Sequence, residues 1–246
     1  MDACDRAGLL VWSEVSVIDT VGHEPEAFGA NAESQLREMI AQQRHHPCVF
    51  TWSLFNEIGH QPGADPLPVL KRLNEVAHAL DHSRPTVGAS NQQKKQINTI
   101  TDIIAFNAYP GWYHGTNGSL DEYITKYRAS APDKPWGISE YGAGASLSQQ
   151  DDVLAQKPVP TGKWHPEAWQ CRIHEQALAS IQHHPELWGT FAWNMFDFAS
   201  PWRHEGERDG INDKGLVTYD RKTRKDAFYL YQANWSDRPV LHLLAR

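Results

Sequence analysis

The stretch from Arg44 to Glu57, which reads Arg-His-His-Pro-Cys-Val-Phe-Thr-Trp-Ser-Leu-Phe-Asn-Glu, constrains this chain more than any other. A basic, His-rich lead-in and a proline give way to an apolar and aromatic run without helical period, and the run stops on an amide beside a carboxylate. It predicts a buried strand that delivers Asn56 and Glu57 at its C-terminal end. Ligands of parallel α/β sheets and barrels gather outside the carboxyl ends of the strands. Glu57 is therefore either placed for chemistry or a surface carboxylate opening the next loop, and the stretch alone does not separate the two. A second stretch, from Pro135 to Gly142, has the same design, with Glu140 at the end of a short apolar strand. Two strand-terminal glutamates point to a carboxylate pair.

The rest of the chain alternates in the same way. Met1 to Ala7 has the composition of a helix end with Gly8 as C-cap, and Leu9 to Val15 follows as a strand. Asn31 is expected to cap a helix over residues 32–43, with Leu36, Met39 and Ile40 on one face. After Glu57, Asp65-Pro66 opens a helix whose Val69, Leu70, Leu73, Val76, Ala77 and Leu80 face inward. Strands are expected over 85–89 and 103–109, and Ser119 with Glu122 forms a capping-box pattern for the next helix. The polar segment 143–165 is long for a connection and reads as an active-site loop. A helix over 166–183, a strand over 189–196 and a closing helix over 225–235 complete the series. Repeated strand-helix alternation argues for an α/β fold with a parallel sheet or barrel.

Taken together, His46-Pro47, Trp52-Ser53, Asn56-Glu57 and Ser139-Glu140-Tyr141-Gly142 resemble the acid/base and nucleophile signatures of the family 2 glycoside hydrolases, the β-galactosidase and β-glucuronidase group. The likeness runs from Met1 to about Ser236 and implies a TIM (β/α)8-type barrel. In that family the acid/base closes the fourth barrel strand and the nucleophile the seventh, so this chain would carry strands three to eight of an incomplete barrel. Residues 237–246 would begin a C-terminal linker or module. Counting strands from the sequence alone, with Leu216–Tyr219 and Val240–Leu244 added to the six above, gives eight instead.

The resemblance makes Glu57 the acid/base and Glu140 the nucleophile of a retaining β-glycosidase that works through a glycosyl-enzyme intermediate. It makes Asn56 a donor to the sugar 2-hydroxyl, Tyr109 a donor to Glu140 and Trp193 a stacking platform for the sugar. β-Galactosides are the expected substrates. The alternative is a β-glucuronidase of the same family, because Asn212-Asp213-Lys214 resembles the Asn-x-Lys element with which those enzymes hold a sugar carboxylate. On residues alone, Asn56 reads as a turn residue, while Tyr109 and Trp193 could as easily be packing aromatics and Lys214 a solvated loop cation. A further rival is a non-catalytic fragment that needs the rest of its enzyme. With strands one and two absent, the isolated chain is not expected to be a competent glycosidase, and unpaired sheet edges favour homo-oligomers.

Composition closes several other routes. A net charge of −7 with no basic run argues against nucleic acid. No stretch is long and apolar enough for a bilayer, and the first residues lack the regions of a signal peptide, which leaves the compartment open. Ten Trp serve packing, and their flat faces also suit the C–H faces of pyranoses, so carbohydrate is the expected partner. Cys4, Cys48 and Cys171 show no metal or disulfide spacing and read as buried thiols. Among the thirteen histidines, His45-His46 and His183-His184 are adjacent pairs that diverge. No metal and no cofactor is expected. No Gly-x-Ser-x-Gly elbow supports a serine hydrolase.

Overall fold

The computed structural model describes residues 1–59, 62–92, 96–151 and 153–243. The chain divides into two compact units, Met1–Asn107 with Thr125–Gly137, and Ala108–Ile124 with Ile138–Arg246.

In the first unit, helix α1 (Asp2–Ala7) ends on Gly8, whose φ of 67° is left-handed, and strand β1 (Val11–Glu14) follows. Helix α2 (Pro25–Gln43) leads into β2 (Val49–Asn56), α3 (Leu67–Leu80) into β3 (Thr86–Ser90), and a 3-10 turn (Gln96–Thr99) into β4 (Ile103–Asn107). The strands pair in parallel in sequence order: Trp12 faces Thr51, Trp52 faces Thr86, and Val87 faces Ile103. Each return passes through a helix or turn, the connection that parallel strands require. β2 is buried from Thr51 to Phe55, with Trp52, Leu54 and Phe55 inaccessible to solvent, which is the pattern of a strand covered on both faces.

Polar ties fix the ends of this sheet. Asp5 accepts from His46 Nδ1 at 2.6 Å and from Cys48 N at 2.9 Å, and so binds α1 to the entry of β2. These bonds hold Asp5 below the usual carboxylate range. Asp2, Asp5 and His46 form the group of metal-ligand side chains found among the described residues. Both oxygens of Asp5 are engaged in the tie just described. Arg84 bonds Asp81 at 2.7 Å and reaches the carbonyls of Val49, Arg44 and His46, while Trp52 Nε1 donates to Asp81 at 3.1 Å. The His-rich lead-in of the sequence is thus an anchored turn.

Helix α2 begins at Pro25, not after Asn31. Gly29 and Asn31 weigh against a helix by propensity, but Pro25 suits its first turn and Gly29 packs closely on Val69 of α3, where a Cβ would come within 3.3 Å of it.

Helix α4 (Asp121–Ser130) and strand β5 (Trp136–Tyr141) each begin in one unit and end in the other. Within the first unit, Tyr127 stacks on Phe106 at 4.1 Å and Ile104 N bonds Pro135 O at 3.1 Å. In the second unit, Ile138 and Tyr141 of β5 pair in parallel with Thr190 and Ala192 of β6 (Thr190–Ala192). Helices α5 (Glu167–Gln182) and α6 (Asp226–Trp235) pack on each other. β7 (Phe198–Ala199) and β8 (Ile211–Asn212) form a short antiparallel pair.

Several expectations are corrected. The run 189–196 is a strand only to Ala192, because Asn194 N turns to Lys214 O and Val217 N to Met195 O. Leu216–Tyr219 forms isolated bridges, Phe196 to Val217 and Val217 to Arg224, since the chain reverses through the Thr218–Thr223 turn. Val240–Leu243 carries no strand, and Leu244 lies outside the described residues. The six-strand count therefore holds over the eight-strand one. Cys48 is buried, but Cys4 and Cys171 are half-exposed, and all three thiols are free. Among the described residues no helix is long and apolar enough to cross a membrane.

Candidate active site

The residues singled out in the sequence fall in both units, and each group is built locally. In the first unit, Asn56 ends β2 and Glu57 follows it directly. Their backbone is held from both sides: Asn56 N donates to Val17 O, past the end of β1, at 2.9 Å and Glu57 N to Ala89 O of β3 at 2.8 Å. Glu57 has φ 49°, a left-handed conformation that an ordinary side chain adopts at a cost, and such positions gather at functional sites.

Asn107, at the end of β4, donates from Nδ2 to Asn56 Oδ1 at 3.0 Å and to Glu57 Oε1 at 2.8 Å. With its oxygen accepting, Asn56 is oriented to present its own Nδ2 as a donor. Asn107 was not singled out by the sequence, although an amide closing an otherwise apolar strand was a usable signal. Its own carbonyl accepts from Tyr127 of α4 at 3.2 Å, so the amide is itself held in place.

In the second unit, Glu140 lies in β5 and its Oε2 accepts from Tyr109 OH at 2.5 Å. Tyr109 is buried with Trp112, Ala143, Trp169 and Ile173, and Trp193 packs against that cluster. Trp193 follows β6 and also meets Phe198 edge-on at 5.9 Å. It is half-buried, which suits a wall residue.

Beneath these side chains lies a buried polar framework that sequence reasoning missed. His174 of α5 bonds Tyr231 of α6 through Nδ1 at 2.8 Å, and the Tyr231 hydroxyl donates to that of Tyr141 at 3.0 Å. Burial pushes the His174 imidazole down to about 3 and the Tyr141 phenol up to about 12. Asp213 bonds His165 Nδ1 at 2.6 Å. Burial alone would raise the Asp213 carboxyl, but His165 and the lysines Lys225 and Lys214 outweigh it and hold it below the usual range.

Two lysines are buried here, and they differ. Lys225 Nζ makes three bonds of 2.8 Å, to Ala145 O, Asp213 O and Asp197 Oδ1. Burial still drives Asp197 up to about 6 despite this pairing. Lys214 is only 1% exposed, so it is not the solvated loop cation that the residue type alone suggested. Its Nζ has Asn212 Oδ1 at 3.4 Å, Glu205 Oε1 at 3.8 Å and the ring of Tyr113 at 5.5 Å. Asn212 and Lys214 are thus brought together, as expected, and Asn212 is also buried.

The chain has relatives among known proteins. Residues 1–237 match the model described as Glycosyl hydrolases family 2, TIM barrel domain. The chain belongs to glycosyl hydrolase family 2. It is 44% identical to a β-glucuronidase of Bacteroides fragilis over 98% of this chain and 35% of that protein. A β-galactosidase of Thermoanaerobacter pseudethanolicus is 34% identical over 59% of this chain and 22% of its own length. The crystal structure of Bacteroides uniformis β-glucuronidase 2 covalently bound to cyclophellitol-6-carboxylate aziridine superposes with a TM-score of 0.85 at 31% identity, over 98% of this chain and 30% of that one. This family 2 chain spans about a third of the length of the first curated relatives it matches. Its fold is that of the TIM barrel domain, of which the described residues carry six parallel strands.

Proposed function

We propose that this family 2 chain carries the catalytic carboxylates of a retaining β-glycosidase, with Glu57 as acid/base and Glu140 as nucleophile, and that its substrates are β-glucuronides. Hydrolysis passes through an oxocarbenium-like transition state, and retention needs one carboxyl to attack carbon while the other first gives and then takes a proton. The Tyr109 hydroxyl, 2.5 Å from Glu140, favours an ionised and oriented nucleophile. Asn107 orients both Glu57 and Asn56, and Asn56 is the donor for the 2-hydroxyl, a contact that strengthens in the transition state. The relative with a covalently bound cyclophellitol-6-carboxylate aziridine supports an enzyme nucleophile in this family.

The choice of sugar rests on one observation: Lys214 is buried like Lys225 but lacks its three short bonds. A buried ammonium with only long contacts is destabilised until an anion completes it, and a C6 carboxylate is such an anion. Galactosides remain the second reading, favoured by Glu205, whose carboxylate partly neutralises Lys214. The deciding measurement is kcat/KM on nitrophenyl β-glucuronide and β-galactoside for the full-length protein and for Lys214→Ala. The glucuronide value is expected to fall roughly ten- to hundredfold, as for loss of a charge-assisted bond, with the galactoside value unmoved. Unchanged glucuronide turnover in Lys214→Ala refutes the uronide reading.

A further inference from the structure

We propose that Glu205 is a resident counter-carboxylate of the Lys214 recess, and that its charge sets how strongly the recess prefers a sugar carboxylate over a neutral hydroxymethyl group. The proposal rests on the reading of Lys214 as the carboxylate-binding cation.

Glu205 sits on the segment between β7 and β8, where Trp202, His204, Glu207, Arg208 and Asp209 are all exposed. Glu205 alone among these charged and aromatic side chains turns inward and is buried. The turn is enforced by its neighbour: Gly206 has φ 63°, donates its N–H to Gly162 O at 2.8 Å, and lies so close to Asp213 that a Cβ would come within 2.4 Å of Oδ2. A carboxylate buried on a surface loop needs cationic partners, and Glu205 has two on one oxygen. Arg203 Nη1 donates to Oε1, and Lys214 Nζ lies 3.8 Å from the same atom. The ring of Tyr113 lies 5.5 Å from Lys214 Nζ.

The geometry separates charge from hydrogen bonding. At 3.8 Å Glu205 is beyond hydrogen-bond range of Lys214, so it screens the ammonium without using up its N–H groups. An incoming carboxylate gains those N–H groups but meets the repulsion of Glu205. An incoming hydroxyl gains them without that repulsion. With one anion between two cations, the trio of Arg203, Glu205 and Lys214 carries a single net positive charge.

The test uses the full-length enzyme and Glu205→Gln, which keeps the shape and an acceptor for Arg203 but removes the charge. The ratio of kcat/KM on nitrophenyl β-glucuronide to that on nitrophenyl β-galactoside is expected to rise roughly tenfold or more, through a lower KM for the glucuronide with kcat little changed. In a Lys214→Met background, where no ammonium draws the carboxylate in, the same substitution is expected to raise the ratio by a smaller factor than in the parent. If Lys214→Met lowers the ratio but Glu205→Gln leaves it flat or lowers it, the role of Glu205 is overturned and the reading of Lys214 stands. If neither substitution moves the ratio, both fall. Glu205→Asp serves if Glu205→Gln does not fold: drawing the carboxylate back by one methylene is expected to raise the ratio by a smaller factor, and an unchanged ratio counts against the proposal equally.

Discussion

His174 is buried without exposure in α5, and its two nitrogens have different fates. Because the Tyr231 hydroxyl donates to Tyr141, its oxygen accepts from His174, which places the proton on Nδ1. Nε2 is then a bare acceptor and has no partner among the described residues. Charging the ring would put a second N–H into a site that offers it nothing, near the cation of Lys225, and burial accordingly pushes the imidazole down to about 3. The unfolded chain's histidine titrates near 6.5. Above that value both states are neutral and the stability is fully present. As pH falls below it, the unfolded chain binds a proton that the folded chain refuses, until the folded value of about 3 is reached. Each pH unit in that window removes about 1.4 kcal/mol, so going from pH 7 to pH 5 removes about 2 kcal/mol through this one group. His174→Gln keeps an N–H for Tyr231 and cannot titrate. Urea unfolding followed by Trp fluorescence at pH 7, 6 and 5 is expected to show a loss in the variant smaller than in the parent by about that amount. Carboxylates and the other histidines contribute equally to both proteins and cancel. Equal pH slopes in the two would refute the reasoning.

Asn107→Ala removes the donor to both Asn56 and Glu57, and kcat/KM is expected to fall roughly ten- to hundredfold while stability drops by no more than about 2 kcal/mol; steady-state rates and an unfolding curve check it, and a rate within twofold of the parent refutes it. In β3, a Cβ on Gly88 would lie 2.2 Å from the ring of Phe55, which is wholly buried, so Gly88→Ala is expected to cost about 1–3 kcal/mol in denaturant unfolding. A midpoint unchanged from the parent would show that Phe55 has room to move.

The strands that end on Asn56-Glu57 and carry Glu140 were legible because a buried parallel strand leaves a continuous apolar run, and no helix of this composition does. Helix α3 was legible for the matching reason, its Val69, Leu70, Leu73, Val76 and Ala77 recurring at helical spacing and all buried. The start of α2 was not, because Gly29 argues against helix locally and is explained only by Val69, a residue of another helix. The run 189–196 looked like one long strand since its apolar residues do not reveal that Asn194 and Met195 bond the segment 214–217. Lys214 illustrates the same limit at the site. Nothing in Asn-Asp-Lys says whether the lysine is solvated or buried; that depends on Glu205 turning inward from a separate loop and on Tyr113 from another. Asn107 was within reach of the sequence, as the polar end of an apolar strand two residues before Tyr109.

The left-handed backbone of Glu57 carries a consequence for how this position changes over time. Glycine or asparagine would occupy that conformation with less strain, by roughly 1 kcal/mol for glycine. Backbone strain therefore works against a glutamate there, opposed by the hydrogen bond that Asn107 donates to its carboxylate. On the proposed acid/base role of Glu57, a library screened only for thermal resistance would be free to exchange it, and sequences improved in that way would lose turnover.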